Sequence, residues 1–316
     1  MKKTAGIHHI TAIVGHPQEN VDFYGGILGL RLVKKTVNFD DPDTYHFYFG
    51  NDSGQPGTII TFFPWNNAPK GKIGGGQVGI TTYIIPPGTM GFWEKRLQSF
   101  HIPFEKTKRF DETYLQFTDI HGLKLEFVER ENGEQNKWTH GNVTPDVAIK
   151  GFGGALLYST NPEKTAETLQ HVMGLEKIGE EDDLIRMKSH GEIGNIIDLK
   201  KTALPRGKMG VGIVHHIAWR ANHDKDHIDW QNHVREKGFY VTPVKDRNYF
   251  NAVYFREYGD ILFEIATDPP GFVHDESYET MGQHLMLPPQ YEHYREKLNR
   301  SLIPIEVRNL DEEGEI

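Results

Sequence analysis

The stretch GIHHITAIVGHPQENVDFYGGILGLRLV, residues 6–33, lies without a gap over GFGGALLYSTNPEKTAETLQHVMGLEKI, residues 151–178, at an offset of 145 positions. Each copy opens on a short apolar strand pattern, crosses a polar loop holding Pro17 or Pro162, enters a helical period and turns at Leu28-Gly29-Leu30 or Met173-Gly174-Leu175. Strand, helix, tight turn and strand therefore recur in both halves of the chain, and a repeat at this spacing dictates the fold before any local feature does. Two further segments follow the same order. One runs from VGITTYII at 78–85 through GFWEKRLQSFHI to TYLQF and LKLEFVE; the other runs from VHHIAWRA at 214–221 through HIDWQNHVREKGF to AVYFREY and ILFEIAT. Trp93 and Trp230 take equivalent places in the two helices.

The chain thus reads as an α+β protein of four βαβββ modules, near 6–64, 77–130, 150–200 and 212–267. The first two make up an N-terminal half, 1–148, and the last two a C-terminal half, 149–316. The connecting segments WNNAPKGKIGGG, RENGEQNKWTHGNVTPD and KKTALPRGKMG are rich in Gly, Pro, Asn and Lys, as linkers are. After Asp268 the tail predicts a helix over QYEHYREKLNRSL and a frayed acidic end, NLDEEGEI.

Composition narrows the functions. At 316 residues the chain exceeds the usual single domain, and 37% hydrophobic residues with no apolar run of about 20 exclude a helical membrane protein. A net charge of −9 without a dense basic stripe argues against nucleic acid as a partner. MKKTAGIHHI has no apolar core behind its lysines, so a cytoplasmic protein is expected. With no cysteine, thiolate metal sites and cysteine nucleophiles fall away, and a metal would rest on histidine and carboxylate.

Among 17 histidines, His8-His9 and His215-His216 are the two adjacent pairs. Both fall in the first strand of a module and both precede isoleucine, while modules two and three carry VGI and FGG there; His9 aligns with Gly154. Side chains alternate across a strand, so one histidine of each pair faces the concave side unless a bulge intervenes. The third element is Glu264 in ILFEIAT, a carboxylate in an apolar strand where an unpaired charge is costly. A salt bridge to Arg256 is the structural alternative. Two imidazoles and one carboxylate form the set that leaves one face of an octahedral metal open. The end strand of module one, TIITFFP, supplies no further carboxylate, which favours oxygen chemistry over proton transfer between carbons. Modules two and three keep Glu126 and Asp198 in their end strands without histidines and read as a half without metal. For His9, His216 and Glu264 to meet, modules one and four must share the metal-bearing barrel despite the 207 positions between the histidines.

These residues resemble the vicinal oxygen chelate superfamily of glyoxalases, bleomycin-resistance proteins and extradiol dioxygenases, and the whole chain is similar to its hydroquinone-type ring-cleaving dioxygenases. The resemblance rests on IHHI at 7–10, LVKKTVNFDDPDTYHFYFG at 32–50, GQPGTIITFFPW at 54–65, EKIGEE at 176–181, VHHIAW at 214–219 and PPGFVHDE at 269–276. It implies two open barrel-like domains, metal ligands at His9, His216 and Glu264, and pocket residues at Thr11, His215, Arg247 and Tyr254. Thr11 shares strand parity with His9; His215 does not share it with His216. The resemblance further implies Fe(II), with Mn(II) as the alternative, and an aromatic substrate cleaved with O2. The segment KDRNYF is shorter than its counterpart in some relatives acting on chlorinated hydroquinones, so the substrate stays open, as does a homo-oligomeric state. Two rivals remain: a glyoxalase-like isomerase or lyase, and a protein that binds an aromatic compound without turnover.

Overall fold

The computed structural model describes residues 2–313. Sixteen strands and four crossover helices follow the four-module order. Module one comprises β1 (Ile7–Val14), α1 (Pro17–Val21), β2 (Arg31–Asn38), β3 (Asp41–Gly50) and β4 (Ile59–Pro64). Module two comprises β5 (Gln77–Ile85), α2 (Met90–Ser99), β6 (Phe104–Arg109), β7 (Glu112–Thr118) and β8 (Lys124–Glu129). Module three comprises β9 (Gly151–Tyr158), α3 (Pro162–His171), β10 (Glu176–Glu181), β11 (Leu184–Lys188) and β12 (Ile196–Lys200). Module four comprises β13 (Ile213–Ala221), α4 (Asp224–Glu236), β14 (Lys245–Asp246), β15 (Phe250–Arg256) and β16 (Leu262–Pro270).

Two eight-stranded sheets result, in the orders β14-β15-β16-β13-β1-β4-β3-β2 and β10-β11-β12-β9-β5-β8-β7-β6. Modules one and four share the first and modules two and three the second, as the histidine argument requires. Within a module the first strand pairs parallel with the last, and across modules the first strands pair antiparallel. All eight residues of β1 are buried because it lies at the middle of its sheet, with the concave face on one side and packed structure on the other. Trp93 and Trp230 are both buried, and the Trp93 indole N–H donates to the Val147 carbonyl, 3.0 Å away, tying the inter-module linker to α2. The first and third linkers pair with each other through Lys70–Val211, Lys72–Lys208 and Gly75–Arg206 bridges.

The first strands carry a shared irregularity. The β1/β13 register steps past His8 on one strand and His215 on the other, so each is the extra residue of a β-bulge. The β5/β9 register steps past Gly79 and Gly153 in the same way. A bulge thus stands at the same place in all four modules, filled by histidine in one sheet and glycine in the other.

Two motifs distant in sequence touch. Lys34 of LVKKTVNF is fully buried and donates to Asp275, at 2.6 Å, and to Glu276 of PPGFVHDE. Phe272 of the same loop packs on Tyr48 and Tyr249, at centroid distances of 5.1 and 5.2 Å. The loop therefore closes one wall of the first barrel.

The tail departs from expectation. Residues 289–294 form a 3-10 turn and, of the expected helix, only Arg295–Ser301 is α-helical. The acidic end is not frayed over its described part: Leu310–Glu313 forms a helical turn, Leu310 is buried, and Asp311 accepts from Arg96 at 2.8 Å. The remaining residues of that stretch, 314–316, lie outside the described residues. The docking site for this turn is a π-helical segment, Asp22–Ile27, that continues α1; a Cβ on Gly26 would stand 2.6 Å from Leu310, so the missing side chain makes room for it.

Candidate metal centre

The crossing of β1, β13 and β16 brings His9, His216 and Glu264 together, all buried, with one ligand atom from each within 4.8 Å of the others. His9 Nε2 and His216 Nε2 are 3.4 Å apart; Glu264 Oε2 lies 3.4 Å from the first and 2.8 Å from the second. Donors bound at about 2.1 Å in adjacent positions of one metal would be about 3.0–3.4 Å apart. Among the described residues no other His, Asp or Glu group forms such a cluster. Arg256 does not pair with Glu264; its guanidinium donates to the Asp260 carbonyl, and Tyr254 is the cross-strand neighbour of the carboxylate.

The donor set fits a metal for a second reason. Both Glu264 oxygens are buried without a hydrogen-bond partner. His9 Nε2, His216 Nε2 and Glu264 Oε2 face one another at 2.8–3.4 Å, so the three donor atoms point at a common centre. An orphaned buried carboxylate costs several kcal/mol unless a cation satisfies it (~3–5 kcal/mol for a broken buried pair). Burial alone would push the Glu264 carboxyl up, but the His9 and His216 imidazoles beside it outweigh that and hold it well below the usual range.

The bulged histidines explain the adjacent pairs. His8 Nε2 donates to the Thr267 carbonyl at 3.1 Å, and burial holds this imidazole neutral by lowering it well below its ordinary value. Its Nδ1 is then the acceptor for His9 Nδ1–H, 2.9 Å away, which leaves the His9 Nε2 lone pair facing the centre. His215 Nδ1 stands in the same relation to His216 Nδ1, at 2.8 Å. The copies differ beyond that point. His8 is walled in by Phe250 and the Thr267 carbonyl, whereas His215 Nε2 has no protein partner among the described residues and its ring borders the cavity. The bulge is the reason His215 and His216 line one cavity in spite of adjacent sequence positions. Burial, chiefly, and His216 hold His215 down at about 3.

A cavity of about 260 Å³ opens over the triad. It is lined by all seven residues singled out from sequence, so Thr11, His215, Arg247 and Tyr254 surround His9, His216 and Glu264. Thr11 faces His216 across the β1/β13 register. Arg247, held in the turn before β15, donates from Nε to the Tyr254 hydroxyl at 3.2 Å and from its terminal nitrogen to Asp40 at 2.8 Å. Burial, above all, and the Glu264 charge raise Tyr254 well above its ordinary value, so its hydroxyl stays protonated. Sequence reasoning missed Asp40, His46 and Tyr48, which also line the cavity. Their signal was available in DDPDTYHFYFG, where His46 and Tyr48 share strand parity, but only the joining of modules one and four in one curved sheet places that face against module four.

The second barrel has lost what the first retains. Glu126 lies opposite Thr82 and Asp198 opposite Leu156, the register places of Glu264 opposite Ala218 and Thr61 opposite Thr11. Where the first sheet has His9 and His216, the second has Gly154 and Ile80. Its carboxylates meet guanidinium groups: Arg109 joins Asp198, at 2.7 Å, to Glu126, and Arg186 chelates Asp198 with two 2.8 Å bonds. Arginine does there electrostatically what a cation would do in the first barrel.

The family model for the glyoxalase/bleomycin resistance protein/dioxygenase superfamily matches residues 6–127 and 151–273. The chain is 66% identical over 310 residues to a Bacillus subtilis (strain 168) protein named "Putative ring-cleaving dioxygenase MhqO", covering 98% of this chain and 99% of that one. It is 31% identical over 311 residues to a chlorohydroquinone/hydroquinone 1,2-dioxygenase of Sphingobium indicum, covering 95% and 97%. A crystal structure described as a putative dioxygenase from Bacillus subtilis subsp. subtilis str. 168 superposes with a TM-score of 0.97 at 66% identity, over 98% of this chain and 100% of that one. With both halves matched by one model and relatives aligned end to end, this chain belongs to the glyoxalase/bleomycin resistance protein/dioxygenase superfamily.

Proposed function

We propose that this chain is a ring-cleaving, extradiol-type dioxygenase that opens a hydroquinone- or catechol-like ring with both atoms of O2, using Fe(II), with Mn(II) as the alternative, at His9, His216 and Glu264. The observation that carries the reading is the buried His-His-Glu set with Thr61, not a carboxylate, at the register place symmetric to Glu264. Three protein donors leave room for a substrate oxygen and O2 together. The names of the relatives, including one acting on hydroquinone, support the same class.

When bound, the metal supplies an electron path between a ring oxygen and O2. The chain's own groups act around it. Because His216 offers Nε2 to the centre, its Nδ1–H donates to His215 Nδ1, and the neutral His215 presents Nε2–H to the cavity. The Tyr254 hydroxyl accepts from Arg247 and keeps its own proton to donate. Arg247, oriented by Asp40, places positive charge where negative charge develops on oxygen. Phe63, Trp65 and Phe250 supply apolar surface for a ring, and about 260 Å³ suits a single-ring compound, below the ~300 Å³ typical of larger ligand sites.

The test is oxygen uptake by the Fe(II)-loaded protein across a panel of hydroquinones and catechols, with mass spectrometry of the ring-opened acid. Uptake with incorporation of two ¹⁸O atoms is expected. No uptake with any diol, together with turnover of a glutathione hemithioacetal, would move the chain to the glyoxalase type; binding of diols without either reaction would make it a sequestering protein.

A further inference from the structure

A chain of hydrogen bonds runs along the cavity wall beside Thr11. Thr11 Oγ1 lies 2.8 Å from Thr61 Oγ1, Thr61 Oγ1 lies 2.9 Å from His46 Nε2, and His46 Nδ1 lies 2.9 Å from the Tyr48 hydroxyl. Its middle member, Thr61, occupies the place symmetric to Glu264, so the barrel spends one carboxylate position on a hydroxyl that serves its neighbours.

The donors in this chain can be ordered by what each proton can reach. Tyr48 is buried, and the one protein partner of its hydroxyl among the described residues is His46 Nδ1, which accepts its proton in the direction proposed below. Burial, chiefly, lowers the His46 imidazole well below its ordinary value, so it is neutral and carries one proton; with Nδ1 accepting from Tyr48, that proton is on Nε2, 2.9 Å from Thr61. That N–H donates to Thr61. The Thr61 hydroxyl then donates to Thr11, its remaining partner, and the Thr11 proton, with no protein acceptor among the described residues, faces the cavity.

We propose that His46 is a positioning residue that fixes the direction of this chain, Tyr48 to His46 to Thr61 to Thr11, so that Thr11 offers a hydrogen-bond donor to an oxygen of the bound ligand. The ligand oxygen beside Thr11 is consequently an acceptor, a phenolate or carbonyl oxygen and not a neutral hydroxyl that must donate. Each bond polarises the next, so the terminal donor is stronger than an isolated threonine hydroxyl. This inference rests on the functional reading for the identity of the ligand, but the polarity of the chain does not.

The polarity is decided first, without metal or substrate, by long-range ¹H–¹⁵N correlation on histidine-labelled protein, with His46 assigned from the spectrum of His46→Gln. A proton on Nε2 is expected; a proton on Nδ1 reverses the chain and overturns the proposal. Its consequence is then read from anaerobic binding of 4-nitrocatechol to the Fe(II)-loaded protein and from kcat/KM for the best diol. Thr11→Val should weaken both about tenfold, the worth of one hydrogen bond. His46→Leu should do nearly the same with metal content unchanged, and the double variant should be no worse than Thr11→Val alone. His46→Gln, whose amide nitrogen can still donate to Thr61, should return to within about threefold of wild type. Additive losses in the double variant, or a His46→Leu protein indistinguishable from wild type, would overturn the proposal. Failure of the wild-type protein to bind any phenol would instead overturn the functional reading, and the metal-free spectrum would still decide the polarity.

Discussion

Replacing Arg109 with methionine probes the idea that guanidinium groups stand in the second barrel where a cation stands in the first. Glu126 is fully buried and accepts from Arg109 twice, from the Thr82 hydroxyl at 2.6 Å and from Gln116 at 2.9 Å. In Arg109→Met two neutral donors remain for that carboxylate, and Asp198 keeps Arg186 alone. Breaking a buried pair from one side costs about 3–5 kcal/mol. A loss of about 3–4 kcal/mol is expected, a fall in Tm of about 6–8 °C at roughly 2 °C per kcal/mol for a chain of this size. Arg109→Met with Glu126→Gln should recover most of the loss, since no buried charge is then left unpaired. Differential scanning calorimetry and metal analysis on the same samples provide the assay, with metal content unchanged throughout. An Arg109→Met protein that melts with wild type, or one that loses its metal and is not rescued by Glu126→Gln, would refute the reasoning.

Three further outcomes are expected. Glu264→Gln should lose its metal, by inductively coupled plasma analysis, yet melt at or above the metal-free wild type, because an orphaned buried charge is removed. His8→Ala and His215→Ala should each weaken metal affinity about 10–100-fold by freeing the ring of the neighbouring histidine, and the second should in addition slow oxygen uptake once metal is restored in excess, His215 being the member that faces the cavity. The metal-free protein should lose stability as pH falls below about 6.5. Burial lowers His46 and His227 in the folded state, so the unfolded chain takes up their protons first and is favoured, until the folded-state values are reached; urea midpoints at pH 7.5 and 5.5 would show the drop.

The four modules, their element order and the cluster of His9, His216 and Glu264 were legible in the chain because each has a local signature. The strand-helix-strand period repeats at a fixed offset, HHI recurs in the first strands of modules one and four, and Glu264 is a charge with no local partner in an apolar strand. Even the pairing of the outer modules followed, since no other arrangement lets His9, His216 and Glu264 share a cavity. What tertiary structure decided is whatever depends on register between strands far apart in sequence. Alternation predicted that one histidine of each pair faces inward unless a bulge intervenes; bulges stand at His8 and His215, and while His9 alone of the first pair lines the cavity, His215 and His216 both do. Thr61 is an ordinary strand threonine until the β1/β4 ladder sets it opposite Thr11, and His46 has no evident role until β3 lays it beside Thr61. The acidic tail looked frayed because its partners, Arg96 on α2 and the glycine-bearing π segment, lie more than two hundred positions away. A sequence records periodicity and residue type over a few turns of chain; hydrogen bonds between distant strands obey the register of the sheet, and that register exists only once the chain has folded.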